Sequence, residues 1–404
     1  MFDSKRTIGI QTKTHFKMKA HIFLILASLT TIFALAQNVD LSDPNAGKFG
    51  FFEVRGHSGM HIYSGQNLAK ELTNGYGSIE LRYGWQTKGS QDWQKAYAYP
   101  AFGIGWYSGY IGYPDIFGNP NALYGFASFP LQRDKRHVFL IEPALGLTYN
   151  LIPFDPQTNA MNDAIGARLA VYFSLNFGGK WKLNREIDLL YGLDFSHFSN
   201  GRTATPNFGL NMFGLNVGAR YHFNRHQKRV DASLNPVTLL AVRPTLTDYQ
   251  RPTKLNKSHF RLYQAIGTVQ NDRDAGTYNR YITTSTVLEY QFRFSEMHAV
   301  YFGGDLFYDG SVADTLTHPE YNSLQTAIFT GGHVGYEFSF WQIGIGLQFG
   351  VYLSEAARIY KDSNLWLRPN IKWDFSKHVY TQVGLKTFNG AAADWVEFGI
   401  GFRI

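Results

Sequence analysis

His197 and Ser199 stand two residues apart in a segment whose apolar and polar residues alternate. In an extended strand successive side chains point to opposite faces, so residues two apart share a face and sit close enough to pass a proton. Leu189, Tyr191, Leu193, Phe195, His197 and Ser199 fall on one face; Leu190, Gly192, Asp194, Ser196 and Phe198 fall on the other. The face that ends in the histidine and the serine is the greasier one. A hydroxyl beside a general base at the tip of an apolar face suits a nucleophilic hydrolase whose substrate is itself a lipid. Across the next turn, Asn211, Phe213, Leu215, Val217, Ala219 and Tyr221 form the matching face of a second strand. Asn211 then points the same way as His197 and Ser199, where it can hold the imidazole, while Asn200 and the backbone around Gly201 offer donors to an oxyanion. Arg202, in the same turn, is placed to meet a lipid phosphate or simply solvent. Ser-Asn-Gly is also ordinary turn chemistry, so these residues alone leave a structural reading open.

The elements that must hold this cluster are strands. Ile79, Leu81, Tyr83 and Trp85 oppose Ser78, Glu80, Arg82 and Gln86. Ala167, Leu169, Val171, Phe173, Leu175 and Phe177 oppose Arg168, Tyr172, Ser174 and Asn176. Trp341, Ile343, Ile345, Leu347, Phe349 and Val351 oppose Gln342 and a run of glycines with Gln348. Period alone does not separate a soluble sandwich from a membrane barrel, since either has one apolar face. Composition does: 40 Gly, 25 Tyr and 33 Phe with only 17% charged residues is the balance of an all-β, antiparallel outer-membrane β-barrel. The C-terminal strand fits, with Val396, Phe398, Ile400, Phe402 and Ile404 on one face and Glu397, Gly399, Gly401 and Arg403 on the other.

Residues 1–36 read as an export signal with an upstream extension. Lys17 and Lys19 precede the apolar run Ile22–Leu35, and Ala34-Leu35-Ala36 predicts cleavage after about Ala36, with Met18 a plausible start. The run is too short for a comfortable span. The chain has no cysteine, which removes disulfides and thiolate chemistry. Its net charge of +7 is spread along the chain without basic runs interleaved with aromatics, which argues against a nucleic-acid partner and is compatible with phosphorylated lipid.

The strands form two series: eight candidates in 50–223, a polar linker over 224–258, and eight more in 259–404. Phe139–Ile152 parallels Trp341–Leu353, and Gly214–Phe223 parallels Phe398–Ile404, the mark of a tandem duplication. Two eight-strand barrels and one sixteen-strand barrel both satisfy the pattern. Matching Gly192-Leu193 to Gly384-Leu385 puts Asn389 where His197 stands, so the second unit is expected to be structural or lipid-binding. Glu53, Arg55 and His57 alternate onto one face and read as a polar network in the lumen. Asp305, Asp309 and Asp314 lack metal-ligand regularity.

The stretch HFSNG at 197–201, followed by PNFGLN at 206–211 and a closing strand, resembles the signature of the lipid A 3-O-deacylase family typified by PagL. It is most similar to the long, acyloxyacyl hydrolase-type form of Bacteroidetes; FFEVRGHSG (51–59), WQKAYAYPAFGIGWY (93–107) and NDAIGARL (162–169) agree with that branch. The resemblance covers about 51–223 directly and the second half through its internal similarity. It implies an outer-membrane barrel with its site on the lipid-facing exterior, removing an ester-linked acyl chain from lipid A of lipopolysaccharide without metal or cofactor. By the same match Ser199 is the nucleophile, His197 the base, and Asn200 lies near the oxyanion. The family glutamate falls on Asn211, which can orient an imidazole but cannot offset its charge, so the expectation is a slower enzyme, one helped by another group, or loss of activity. The rival expectation is a non-catalytic barrel: structural, lipid-binding or a narrow channel. Acyl transfer would use the same residues as hydrolysis, and oligomeric state, a homodimer included, is left open.

Overall fold

The alternation is realised as sixteen antiparallel strands. The computed structural model describes residues 49–404 except 64, 69–71, 73–74, 88–90, 132–135, 184–185, 224–256, 313–326, 355–363 and 390–391. The export signal, nearly all of the linker and Asp314 lie outside the described residues. The first eight strands are β1 (Phe49–His61), β2 (Tyr76–Gln86), β3 (Ala101–Tyr110), β4 (Gly118–Pro130), β5 (His137–Leu151), β6 (Ala170–Lys182), β7 (Ile187–Ser199) and β8 (Leu210–His222). The second eight are β9 (Lys257–Val269), β10 (Tyr281–Arg293), β11 (His298–Asp309), β12 (Ile328–Phe340), β13 (Ile343–Tyr352), β14 (Leu365–Asp374), β15 (Val379–Phe388) and β16 (Ala392–Arg403).

Each series closes on itself. β1 pairs with β8, from Phe51 opposite His222 to His61 opposite Met212. β16 pairs with β9, from Val396 opposite Thr268 to Arg403 opposite Arg261. The protein therefore forms two eight-strand barrels, not one of sixteen, and closure leaves neither sheet an open edge. The internal similarities fall place for place, β5 on β13 and β8 on β16.

Burial is inverted relative to a soluble sandwich. Leu215 and Val217 on β8 are each 65% exposed, whereas Glu53 on β1 and Glu80 on β2 are fully buried. Apolar side chains cover the outside and charges fill the inside, the arrangement a hydrocarbon solvent selects. The long alternation around Arg168 extends past the strand: Ala167 and Leu169 precede β6. They lie in an irregular connection, 152–169, whose backbone is satisfied by side chains. Asn162 Nδ2 donates to the carbonyls of Ile152 (2.8 Å) and Ile116 (3.2 Å), and its Oδ1 accepts the Ile165 N–H.

The lumen of the first barrel is a closed ion network. Arg55 bridges Glu53 at 2.5 Å and Glu142 at 2.6 Å, Arg220 reaches Glu53 at 2.8 Å, and Arg82 reaches Glu80 at 2.8 Å. His57 lies 3.0 Å from Asp194 and 3.2 Å from Glu80. Breaking one partner of a buried pair strands the other charge without water, which costs about 3–5 kcal/mol. Glu142→Ala is thus expected to lower the urea midpoint of the folded barrel in detergent by that much free energy. An unchanged midpoint would mean water enters the lumen.

The two barrels touch through an aromatic seam. In the β2–β3 connection, α1 (Asp92–Ala96) carries Trp93, whose ring centroid is 6.0 Å from that of Phe340 on β12. Tyr97 lies tilted against Phe338 at 4.7 Å, and Phe102 and Phe129 approach Phe340 at 5.7 and 5.6 Å. Rings at these separations attract beyond the area they bury.

Candidate active site

The β7–β8 hairpin register sets His197 directly opposite Asn211. Their side chains meet: His197 Nδ1 lies 2.7 Å from Asn211 Oδ1. A carboxamide oxygen accepts, so Nδ1 carries the proton and Nε2 is left with its lone pair, the tautomer a general base requires. Ser199 is the last residue of β7 and lies on the same face, nearly buried. Phe198, between them, points into the barrel, fully buried against Tyr172 (5.4 Å) and Tyr107 (5.8 Å), and so anchors the strand end that carries both groups. The Phe195 ring lies nearly parallel to His197 at 6.5 Å on the outer face.

Residues 200–209 turn tightly over this pair. Gly201 and Arg202 both adopt the left-handed conformation, φ 63° and 64°. Gly209, φ 75°, brings the chain back so close that a β-carbon there would sit 2.9 Å from His197 Cε1, so only glycine fits. The neighbouring connection supports the return: Gly209 N–H donates to Ala164 O at 2.9 Å, and Phe208 N–H to Asp163 O at 3.3 Å. Asp163 is itself pinned, its Oδ2 accepting the N–H groups of Gln66 and Asn67 at 2.9 Å and its Oδ1 the Tyr63 hydroxyl. The 162–169 motif is thus a brace for the site.

The loop also brings in a residue that strand periodicity could not find. Asn207 Oδ1 accepts the Asn200 N–H at 3.0 Å, and its Nδ2 lies 2.9 Å from Ser199 Oγ. The Ser199 hydroxyl in turn lies 3.2 Å from Asn207 Oδ1, and Gly201 N–H donates to Ser199 Oγ at 3.2 Å. The Ser199 hydroxyl thus bonds to Asn207 and Gly201. Asn200 Nδ2 is buried without a hydrogen-bond partner among the described residues. Donors from Gly201 and Asn207 thus converge on the Ser199 hydroxyl, with Asn200 next to it in the chain. The one signal for Asn207 in the sequence was its place inside the PNFGLN stretch. Removing an oxyanion donor costs a hydrolase roughly 10²–10³ in turnover, so if the sequence expectation of ester hydrolysis holds, Asn207→Ala loses that much while the barrel still folds, as judged by its gel shift on heating.

Arg202 pairs with Asp394 of the second barrel at 3.6 Å. In the second barrel, Asn389 follows the end of β15 in a short turn, with φ 49° and an exposed side chain, and no strand continues where β7 carries its histidine. Asp305 pairs with Arg368 (3.0 Å) and His333 (2.6 Å), and Asp309 Oδ1 accepts from the Ser311 N–H and hydroxyl. These two carboxylates are structural. The described residues hold no cluster of His, Asp and Glu able to bind a metal ion.

Residues 77–220 match the family model described as lipid A 3-O-deacylase (PagL), and residues 258–404 match that of the acyloxyacyl hydrolase C-terminal domain. The chain is PagL-like. The first match contains His197, Ser199, Asn200, Gly201, Arg202, Asn207 and Asn211, and the second spans all but the first residue of the second barrel's strands. No curated protein matches the chain. Among solved structures, the PagL-like chain is similar to the outer membrane enzyme PagL, with 14% identity over 41% of this chain and 97% of that one and a TM-score of 0.28. It is also similar to Neisserial surface protein A, with 10% identity over 44% of this chain and 99% of that one and a TM-score of 0.28.

Proposed function

We propose that the protein sits in the outer membrane and hydrolyses an ester-linked acyl chain of lipid A. The observation that carries this reading is the 2.7 Å bond from His197 to Asn211 on an outward, apolar face that also holds Ser199. His197 Nε2 takes the proton of Ser199 as Oγ attacks the ester carbonyl, forming a tetrahedral oxyanion held by donors from Asn200, Gly201 and Asn207. The intermediate collapses, the ester C–O bond to the leaving group breaks, and His197 gives the proton to the departing alkoxide oxygen of lipid A. Water, activated by the same imidazole, then releases the fatty acid and regenerates Ser199. These steps use side chains and water alone. Asn211 orients the ring throughout.

The surroundings suit a chain of methylenes. Leu193, Phe213 and Leu215 lie exposed below the cluster on β7 and β8 and would face hydrocarbon alongside the acyl tail. A lumen packed with paired arginines and glutamates speaks against a channel through the first barrel. The family descriptions support lipid A as substrate and ester hydrolysis as the reaction.

The deciding experiment incubates the folded protein in mixed micelles with purified lipid A and follows both products by mass spectrometry. Loss of one acyl group with equimolar free fatty acid is the expected result. Lipid A left intact by folded protein would overturn the reading, and acyl groups appearing on added phospholipid would make the protein an acyltransferase.

A further inference from the structure

We infer that the second barrel is a working part of the site, holding the loop 200–209 in its active shape; the effect on rate rests on the hydrolase reading above. The loop is held from two sides, and one of them is the other barrel. Gly201, whose N–H reaches Ser199, has its backbone seated on the outer face of β15 and β16. A β-carbon on Gly201 would lie 2.1 Å from Val396 Cγ2 and 3.5 Å from Leu385 Cδ1. Arg202 is a non-glycine residue in the left-handed region, a conformation its own side chain opposes. It is tied at both ends: its carbonyl accepts the Gln270 N–H at 3.1 Å and its guanidinium pairs with Asp394.

Gln270, just past the end of β9, grips the loop a second time. Its Oε1 accepts the Thr205 N–H at 2.6 Å and the Thr205 hydroxyl at 3.3 Å, and that hydroxyl also lies 2.9 Å from Asn271 O. The carboxamide is aimed by its other end, where Nε2 donates to the carbonyls of Asp274, Thr277 and Asn279. Asp394 is aimed from inside the second lumen. It is fully buried, and its Oδ2 lies 2.8 Å from Lys386 Nζ. Lys386 is itself ringed by Trp395, Tyr352 and Phe307 at 4.2, 4.7 and 4.8 Å. A barrel without the His-x-Ser pair thus presents a rigid anchor to the loop that carries the oxyanion donors. Gln270 and Asp394 are positioning residues: they act through the loop, by way of Arg202 and Thr205.

Two measurements on the full-length protein test this. Hydrogen exchange in detergent should show the amides of Asn200, Gly201 and Thr205 exchanging at least about 10-fold faster in both Gln270→Leu and Arg202→Ala, with β7 and β8 as protected as in wild type. Unchanged exchange in both variants overturns the inference whether or not the protein cleaves lipid A. The second is a double-mutant cycle between Gly201→Ala and Val396→Ala. Gly201→Ala pushes the loop off the β16 wall and should lower kcat by about 10- to 100-fold with little change in KM, because misplaced donors act on the transition state. Val396→Ala removes the methyl in the way and alone should stay within about 3-fold of wild type. The double variant should regain the part of the lost kcat that the clash with Val396 causes, the remainder being alanine's own strain at φ 63°. Absence of any recovery overturns the contact's role. Failure of wild type to cleave lipid A would instead strike the proposed function, and the exchange data would still judge the anchor.

Discussion

Ser199→Ala is expected to cut fatty-acid release from lipid A by on the order of 10⁴–10⁶, leaving only what oriented donors do for attack by water. The size follows from the arrangement. Ser199 stands two residues from His197 on their shared strand face, and Asn207 Nδ2 and Gly201 N–H converge on its Oγ. Without it no acyl-enzyme forms, and the donors have no attacking oxygen to organise. The fold should be indifferent, because Asn207 remains held through its bond from the Asn200 N–H and the change removes one oxygen at the end of a strand. His197→Ala should fall as far, and the double variant no further, since residues that act as one device lose their effect once. Mass spectrometry of lipid A, with folding checked by heat-induced gel shift, reads all three. Retained hydrolysis in Ser199→Ala would remove the nucleophile from the proposal.

Asn211 carries the second large effect, and its two substitutions should move in opposite directions. In Asn211→Leu the Nδ1 proton loses its acceptor in a nearly dry site, the ring is free to turn, and the wrong nitrogen can face the serine. A loss of about 10²–10⁴ in kcat is expected, by analogy with proteases whose orienting residue is removed. In Asn211→Glu the same register partner supplies a carboxylate, which keeps the tautomer and also offsets the positive charge that His197 acquires at the transition state. About 1.4 kcal/mol of added stabilisation corresponds to a tenfold gain in rate. Kinetics of fatty-acid release from micellar lipid A would measure both. A slower Asn211→Glu enzyme would show that the amide, through its neutral hydrogen bond, is what this site needs.

Much of the site was legible before any coordinates. Which residues of β7 and β8 share a face is a local property of extended chain, so His197, Ser199 and Asn211 fall together once the strand is recognised. The pairing of His197 with Asn211 needed one more fact, the hairpin register, and a ten-residue loop gives no rule for that. The 2.7 Å bond records its outcome. Asn207 was out of reach because it sits in irregular backbone where no periodicity applies. Arg202 read as a charge for lipid phosphate or solvent, and its pairing with Asp394 was out of reach because that residue lies far along the chain in another barrel. The Glu53, Arg55 and His57 alternation signalled a polar lumen correctly, but which acid meets which base depends on strands that face each other across the barrel.

The sequence by itself determined that the chain is a tandem set of antiparallel membrane strands, which faces are greasy, and that the only His-x-Ser pair stands on an outward face in the first unit. Alternation and internal similarity are written residue by residue, so they survive without knowing the neighbours. Separate closure of each set of eight, and the grip of the second barrel on the 200–209 loop of the first, came only with the packing. Closure is settled by whether β1 finds β8 or β16 finds β9, a competition between distant segments with much the same pattern. Pattern fixes what a strand exposes; only packing fixes its partner.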